Sequence, residues 1–113
     1  MPVKQPSPRH IGRQLAKFRL ARNLTQEEVG VRLDIGAEAV SRLERGQVDL
    51  SVAKLLQLAD IFQCPAAELL MAISTRTQDQ AQVITALLDK LSDENRQFTL
   101  EMLERMAAHL APK

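Results

Sequence analysis

The chain is 113 residues long and 45% hydrophobic, with three Phe and neither Trp nor Tyr. That length suits one compact domain, or a small domain with an appendage, and excludes a second, catalytic one; the core must come from Leu, Val, Ile, Ala and Met, a set that leans towards helix. A formal net charge of +1 excludes any argument from bulk charge, but Lys4, Arg9, Arg13, Lys17, Arg19 and Arg22 meet no acidic residue before Glu27, so the chain begins with a basic segment suited to a polyanionic partner or to a solvated helix face.

The opening MPVKQPSP holds three prolines in eight residues, which predicts a mobile, non-helical arm over residues 1–8. From Arg9 onward Ile11, Leu15 and Phe18 recur at helical spacing, predicting a first helix that runs to about Arg22 and ends at Asn23. Thr25 and Glu28 then form the S/T-x-x-E pattern of a capping box, so a second helix starts near Gln26, turns Val29 and Leu33 inward and stops at Leu33 or Asp34. Gly36 permits a tight re-entry into a third helix over residues 37–44, with Val40 and Leu43 inside, Ala37, Glu38, Ser41 and Arg42 outside, and Gly46 as the stop. Gly30 fits a close crossing of the second and third helices.

Ser51 is the predicted N-cap of a fourth helix whose inner side carries Leu55, Leu58, Ala59 and Phe62, and Pro65 suits the first position of a short fifth helix containing Leu69 and Leu70. The polar run STRTQDQAQ marks a boundary, dividing a domain over residues 9–72 from a C-terminal segment over 73–113. In that segment Val83, Ile84, Leu87, Leu88 and Leu91 form one apolar stripe; after a cap at Ser92, Phe98, Met102, Met106 and Leu110 form another, widened by Leu100 and Leu103. Two such helices make a hairpin with more apolar surface than it can bury on itself, so it calls for a partner. With no strand-period run of any length, the fold class is all-α.

A short helix, a tight turn and a second short helix, braced by a basic helix, is an arrangement that leaves one helix face outward. The run from about Ile11 to Leu70 carries IGRQLAKFR, LTQEEV, Val40 and Leu43 ahead of ERG, and SVAKLLQLADIF leading into PAAELL. It resembles the xenobiotic-response-element family of bacterial and phage regulators, the group that includes the lambda-type repressors and Cro. The resemblance implies a five-helix lambda-repressor-like helix-turn-helix domain whose recognition helix enters the major groove of double-stranded DNA. By the same resemblance Gln26 touches a phosphate, Gly36, Ala37, Glu38, Ser41 and Arg42 face the DNA, and Arg45 and Gln47 meet its backbone. Their chemistry suits the role, since Arg can fork onto guanine O6 and N7, Glu can accept from cytosine N4 and Ala can meet a thymine methyl. Arg19 and Glu44 match positions that pair as a structural ion pair in the family. Two departures stand out: Asp34 lies in the turn where the family often has Gly, and Gly36 where a capping Ser or Thr is common.

The expected function is therefore a sequence-specific transcriptional regulator, a repressor on a pseudo-palindromic operator, dimerised through Leu87, Leu88, Leu91, Phe98, Met102, Met106 and Leu110. The alternative is an antitoxin-type protein whose C-terminal helices grip another protein while the helix-turn-helix directs the complex to DNA. No enzyme is expected: Ser51-Val-Ala-Lys54 spells S-x-x-K, but the companion motifs of acyl-enzymes are absent and Ser51 already serves as a cap. Neither cofactor nor metal is expected, because His10 and His109 stand at opposite ends without a third ligand and Cys64 is alone. Cys64 reads as a small buried apolar residue, and His10 beside Arg9 as a surface residue within reach of a phosphate. No apolar run approaches a membrane span, which leaves a cytoplasmic protein as the expectation.

Overall fold

The computed structural model describes residues 2–112; Met1, part of the predicted arm, and Lys113, the last residue of the predicted C-terminal segment, lie outside the described residues. Among the described residues seven helices and no strand follow in order: α1 (Pro8–Ala21), α2 (Gln26–Leu33), α3 (Ala37–Glu44), α4 (Val52–Phe62), α5 (Ala66–Ile73), α6 (Thr77–Asp89) and α7 (Asp93–Leu110). The all-α expectation holds. The chain divides into two compact units, Met1–Arg76 with the first five helices and Thr77–Lys113 with the last two.

Each start in the first unit has a local cause. Ser7 Oγ accepts the His10 amide at 3.1 Å. Pro8, placed above in the non-helical arm, is instead the first residue of α1, a position where the amide proline lacks would have had no helical partner. The capping box of α2 is complete, with the Glu28 amide donating to Thr25 Oγ1 and the Thr25 amide to the Glu28 carboxylate, each at 3.0 Å. Ser51 Oγ caps α4 as predicted, by accepting the Lys54 amide. Pro65 sits one place earlier than predicted, as the N-cap of α5.

Four helix ends share one device, a residue in the left-handed region after which the chain turns away. Asn23, Asp34, Gly46 and Gln63 have φ of 57°, 60°, 75° and 57°. In each case the next amide reaches back five residues: Leu24 to Arg19, Ile35 to Gly30, Gln47 to Arg42 and Cys64 to Ala59, at 2.8 to 3.2 Å. This satisfies carbonyls that would otherwise be orphaned and makes every reversal tight.

The core of this unit joins all five helices through Leu15 of α1, Val29 and Leu33 of α2, Val40 and Leu43 of α3, Leu55, Leu58 and Phe62 of α4, and Leu69 and Ile73 of α5. Phe18 tilts against Phe62 with ring centroids 6.0 Å apart. Two glycines stand where a side chain would not fit. A side chain at Gly30 would press on the Ile35 carbonyl at 2.8 Å, so the crowding there comes from the turn rather than, as predicted, from the crossing of the two helices. Gly12 is tighter still, because a Cβ would drive into the backbone carbonyls of Glu44 and Leu43.

In the second unit α6 begins at Thr77, within the polar run STRTQDQAQ. Ser92 Oγ caps α7 by accepting the Asn95 amide. Arg96 closes the hairpin, donating to the Leu88 and Leu91 carbonyls at 3.2 and 3.1 Å and to the Asp93 carboxylate at 3.1 Å. No described residue of either helix is buried.

Candidate nucleic-acid interface

Helix α3 is short, and its N-cap Gly36 supplies no side-chain hydrogen bond. Isolated helices of this length are unstable in water, so tertiary contacts hold it. On its inner side Val40 and Leu43 enter the core. At its C-terminal end Arg19 of α1 meets Glu44 with two parallel bonds, Nε to Oε2 at 2.7 Å and Nη2 to Oε1 at 3.2 Å. The same guanidinium donates to the Leu24 carbonyl at 2.8 Å, and the Gln26 amide of α2 donates to Glu44 Oε1 at 2.9 Å. The two charged side chains are only 13% and 10% exposed, so this fork ties the ends of α1, α2 and α3 in a largely dry place.

The opposite face of α3 is open. Ala37, Glu38 and Arg42 are exposed and Ser41 is half-buried, all on one side, with exposed Gly36 at the entry and Arg45 and Gln47 at the exit. Glu38 does not stand alone: its carboxylate takes an Arg45 N–H at 3.2 Å, while Arg45 Nε reaches the Ser41 carbonyl at 3.3 Å. Among the described residues the Arg42 side chain has no hydrogen-bond or ion-pair partner, which leaves its guanidinium free to approach a planar acceptor pair. Gln26 is half-buried, with one amide N–H given to Glu44 and the other available.

Sequence reasoning missed three features here. The pairing of Glu38 with Arg45 across two turns was signalled only by their spacing. Gly12 gave no signal, because its role depends on where α1 crosses α3. An open cleft of about 300 Å³ lies beside Arg42, floored by Ile35, Ala39, Leu43 and Val48 and edged by Asp49, Ser51 and Lys54, so the start of α4 adds a second cation to this surface. Two side residues also differ from expectation. His10 is half-buried rather than a surface residue, and its Nε2 is a buried atom without a hydrogen-bond partner among the described residues. Cys64 is half-buried against the core, and its thiol is pushed up by desolvation and then by the Glu68 carboxylate, against a smaller opposing pull from Arg22. The upward shift disfavours the thiolate, the form that reacts.

A family model described as a helix-turn-helix domain matches residues 10–70, more than half of the chain. The chain belongs to the helix-turn-helix family. In its helix-turn-helix domain α2 and α3 form the motif, and the outward face of α3 is the face such domains present to DNA. No curated protein matches the chain. Among solved structures, the restriction-modification controller protein C.AhdI from Aeromonas hydrophila is 29% identical, with 55% of this chain and 90% of that one covered at a TM-score of 0.52. The clp gene regulator ClgR from Corynebacterium glutamicum is similar over 97% of this chain and 100% of its own, at 22% identity and a TM-score of 0.56. PlcR from Bacillus thuringiensis, solved with a peptide and DNA, is 24% identical over 85% of this chain and 36% of its own, at a TM-score of 0.54. The resemblance to lambda-repressor-like regulators is thus the one that the domain match and these neighbours bear out. No single helix among the described residues is long and apolar enough to cross a membrane.

Proposed function

We propose that the protein is a transcriptional repressor that binds a pseudo-palindromic operator as a homodimer in the cytoplasm. The observation that carries the reading is the two-sided character of α3: one side is clamped by Arg19, Glu44 and Gln26, and the other offers Arg42 unpartnered beside Ala37 and Ser41. Arg42 reads a guanine, Ala37 and Ser41 shape the neighbouring contacts, and the second N–H of Gln26 meets a phosphate at the entry of the motif. Arg45 and Gln47 meet the backbone at its exit. Glu38, already paired with Arg45, acts less as a base reader than as a charge that holds Arg45 in place and disfavours misaligned backbones. Similarity to a controller protein at 29% identity supports the regulatory assignment.

Dimerisation follows from the second unit. Leu87, Phe98, Met102, Met106 and Leu110 are exposed on α6 and α7, while Leu88 and Leu91 are half-buried at the hairpin. Pairing two hairpins would cover these side chains; on a two-fold symmetric operator the two recognition helices would then occupy half-sites about 34 Å apart, one turn of B-DNA. The same exposed face also favours a second reading, an antitoxin-type protein whose hairpin grips a different protein.

Selection of bound duplexes from a random pool tests both. The parent is expected to enrich a two-fold symmetric site, and Arg42→Ala to lose about 1 to 3 kcal/mol at that site while relaxing its sequence preference. Enrichment of a single half-site, or of nothing, would favour the partner-dependent protein, and an Arg42→Ala variant with unaltered preference would remove Arg42 as the base reader.

A further inference from the structure

We infer that Arg9, Arg13 and Lys17 on α1 form a phosphate-binding stripe that engages the DNA backbone beyond the bases α3 reads. The inference rests on the DNA-binding role proposed above and extends it to a helix outside the α2–α3 motif.

Several observations meet on α1. The three residues are spaced four apart, so along the helix each stands roughly 6 Å from the next and about 40° further round. All three are exposed, and none has a hydrogen-bond or ion-pair partner among the described residues. Arg13 and Lys17 lie on the side away from Gly12 and Leu15, the buried residues of α1, and Arg9 borders that buried face at its first turn. No acidic residue precedes Glu27, so nothing on α1 or before it offsets the stripe. In an almost neutral protein an uncompensated row of this kind is a local field with a preferred counter-charge.

Its position favours nucleic acid over an acidic protein surface. The first turn of α1 lies against the exit of α3: a Cβ on Gly46 would come within 2.6 Å of the Arg9 backbone nitrogen. Gly46 separates Arg45 from Gln47, the two residues proposed to meet the backbone. The stripe therefore starts next to that contact region rather than standing as an isolated patch. Long, flexible side chains opposite the core suit contacts that carry charge without sequence information.

The test is the salt dependence of binding, measured for the full-length parent and for the triple variant Arg9→Gln, Arg13→Gln, Lys17→Gln on the selected operator and on a duplex of unrelated sequence. Each phosphate contact contributes about 0.9 to the slope of log affinity against log salt, so the variant's slope is expected to be shallower by about 2.7 on both duplexes. Between 50 and 200 mM salt the parent should then lose about 40-fold more affinity than the variant. Base preference should be unchanged, which separates this effect from that of Arg42→Ala. The pair Arg9→Lys, Arg13→Lys keeps the charge and should keep the parental slope, excluding misfolding as the cause. An unchanged slope in the triple variant overturns the inference and leaves the stripe to an acidic protein. A parent that binds both duplexes equally, with a slope that still falls in the triple variant, would sink the operator reading and uphold the stripe; a parent that binds no DNA overturns both.

Discussion

Glu44 shows how much a single carboxylate can organise. It receives two N–H groups from Arg19 and one from Gln26, so three helices meet on its two oxygens, and Arg19 adds the Leu24 carbonyl. With both charged groups largely removed from water, deleting one strands the other. Glu44→Ala is therefore expected to cost about 3 kcal/mol or more in the unfolding free energy of the first unit, read by urea denaturation. A midpoint equal to that of the parent would show that the fork contributes nothing. The pairing of Arg19 with Glu44 was suggested by resemblance, whereas Gln26 as a third member was not, because that resemblance assigned its amide to a phosphate. The need for Gly at position 12 was not legible either. It arises only where the Leu43 and Glu44 carbonyls come against α1.

At the scale of the helix, the caps were the most legible part of the chain. The Thr25–Glu28 box was written in four consecutive residues and formed as written. Its bonds hold the Glu28 carboxyl below its usual range, first through the Thr25 amide and then through the Thr25 hydroxyl, with a smaller contribution from Arg32. A carboxylate whose folded value is depressed contributes stability above its unfolded value and loses it as pH falls through the folded one. The parent should thus exceed Glu28→Gln in stability at neutral pH, and the gap should close below the ordinary glutamate range. Thermal melts of the two proteins from pH 7 down to pH 2 test this, and a gap that stays constant would refute the linkage. The helix stops were less legible. Gly46 advertised itself, but Gln63 in the left-handed region did not, since only its neighbours' bonds make that conformation the better choice.

For the whole molecule, the division of labour follows the distribution of burial. The first unit has a core contributed by five helices, while no described residue of α6 or α7 is buried, leaving Phe98 62% and Leu110 72% exposed. Apolar stripes of this size outside a core are sites of association. The full chain is expected to sediment as a dimer at micromolar concentration, and Leu87→Glu with Met102→Glu as a monomer that keeps the helical content of the parent. A parent that is monomeric throughout would transfer the hairpin to a different protein partner.

The amino-acid sequence by itself determined the helices and their polarity, since period, caps and stops act over a few residues and need no distant neighbour. It also determined the family, through motifs spread across the first 70 residues. Only the tertiary structure decided which side chains of the outward face remain free. Glu38 is held by Arg45 and Gln26 by Glu44, while Arg42 is left open, and the start of α1 is brought beside the exit of α3. The reason is range: Arg19 and Glu44 are 25 residues apart in the chain, and contacts of that separation depend on how the helices pack rather than on any local pattern.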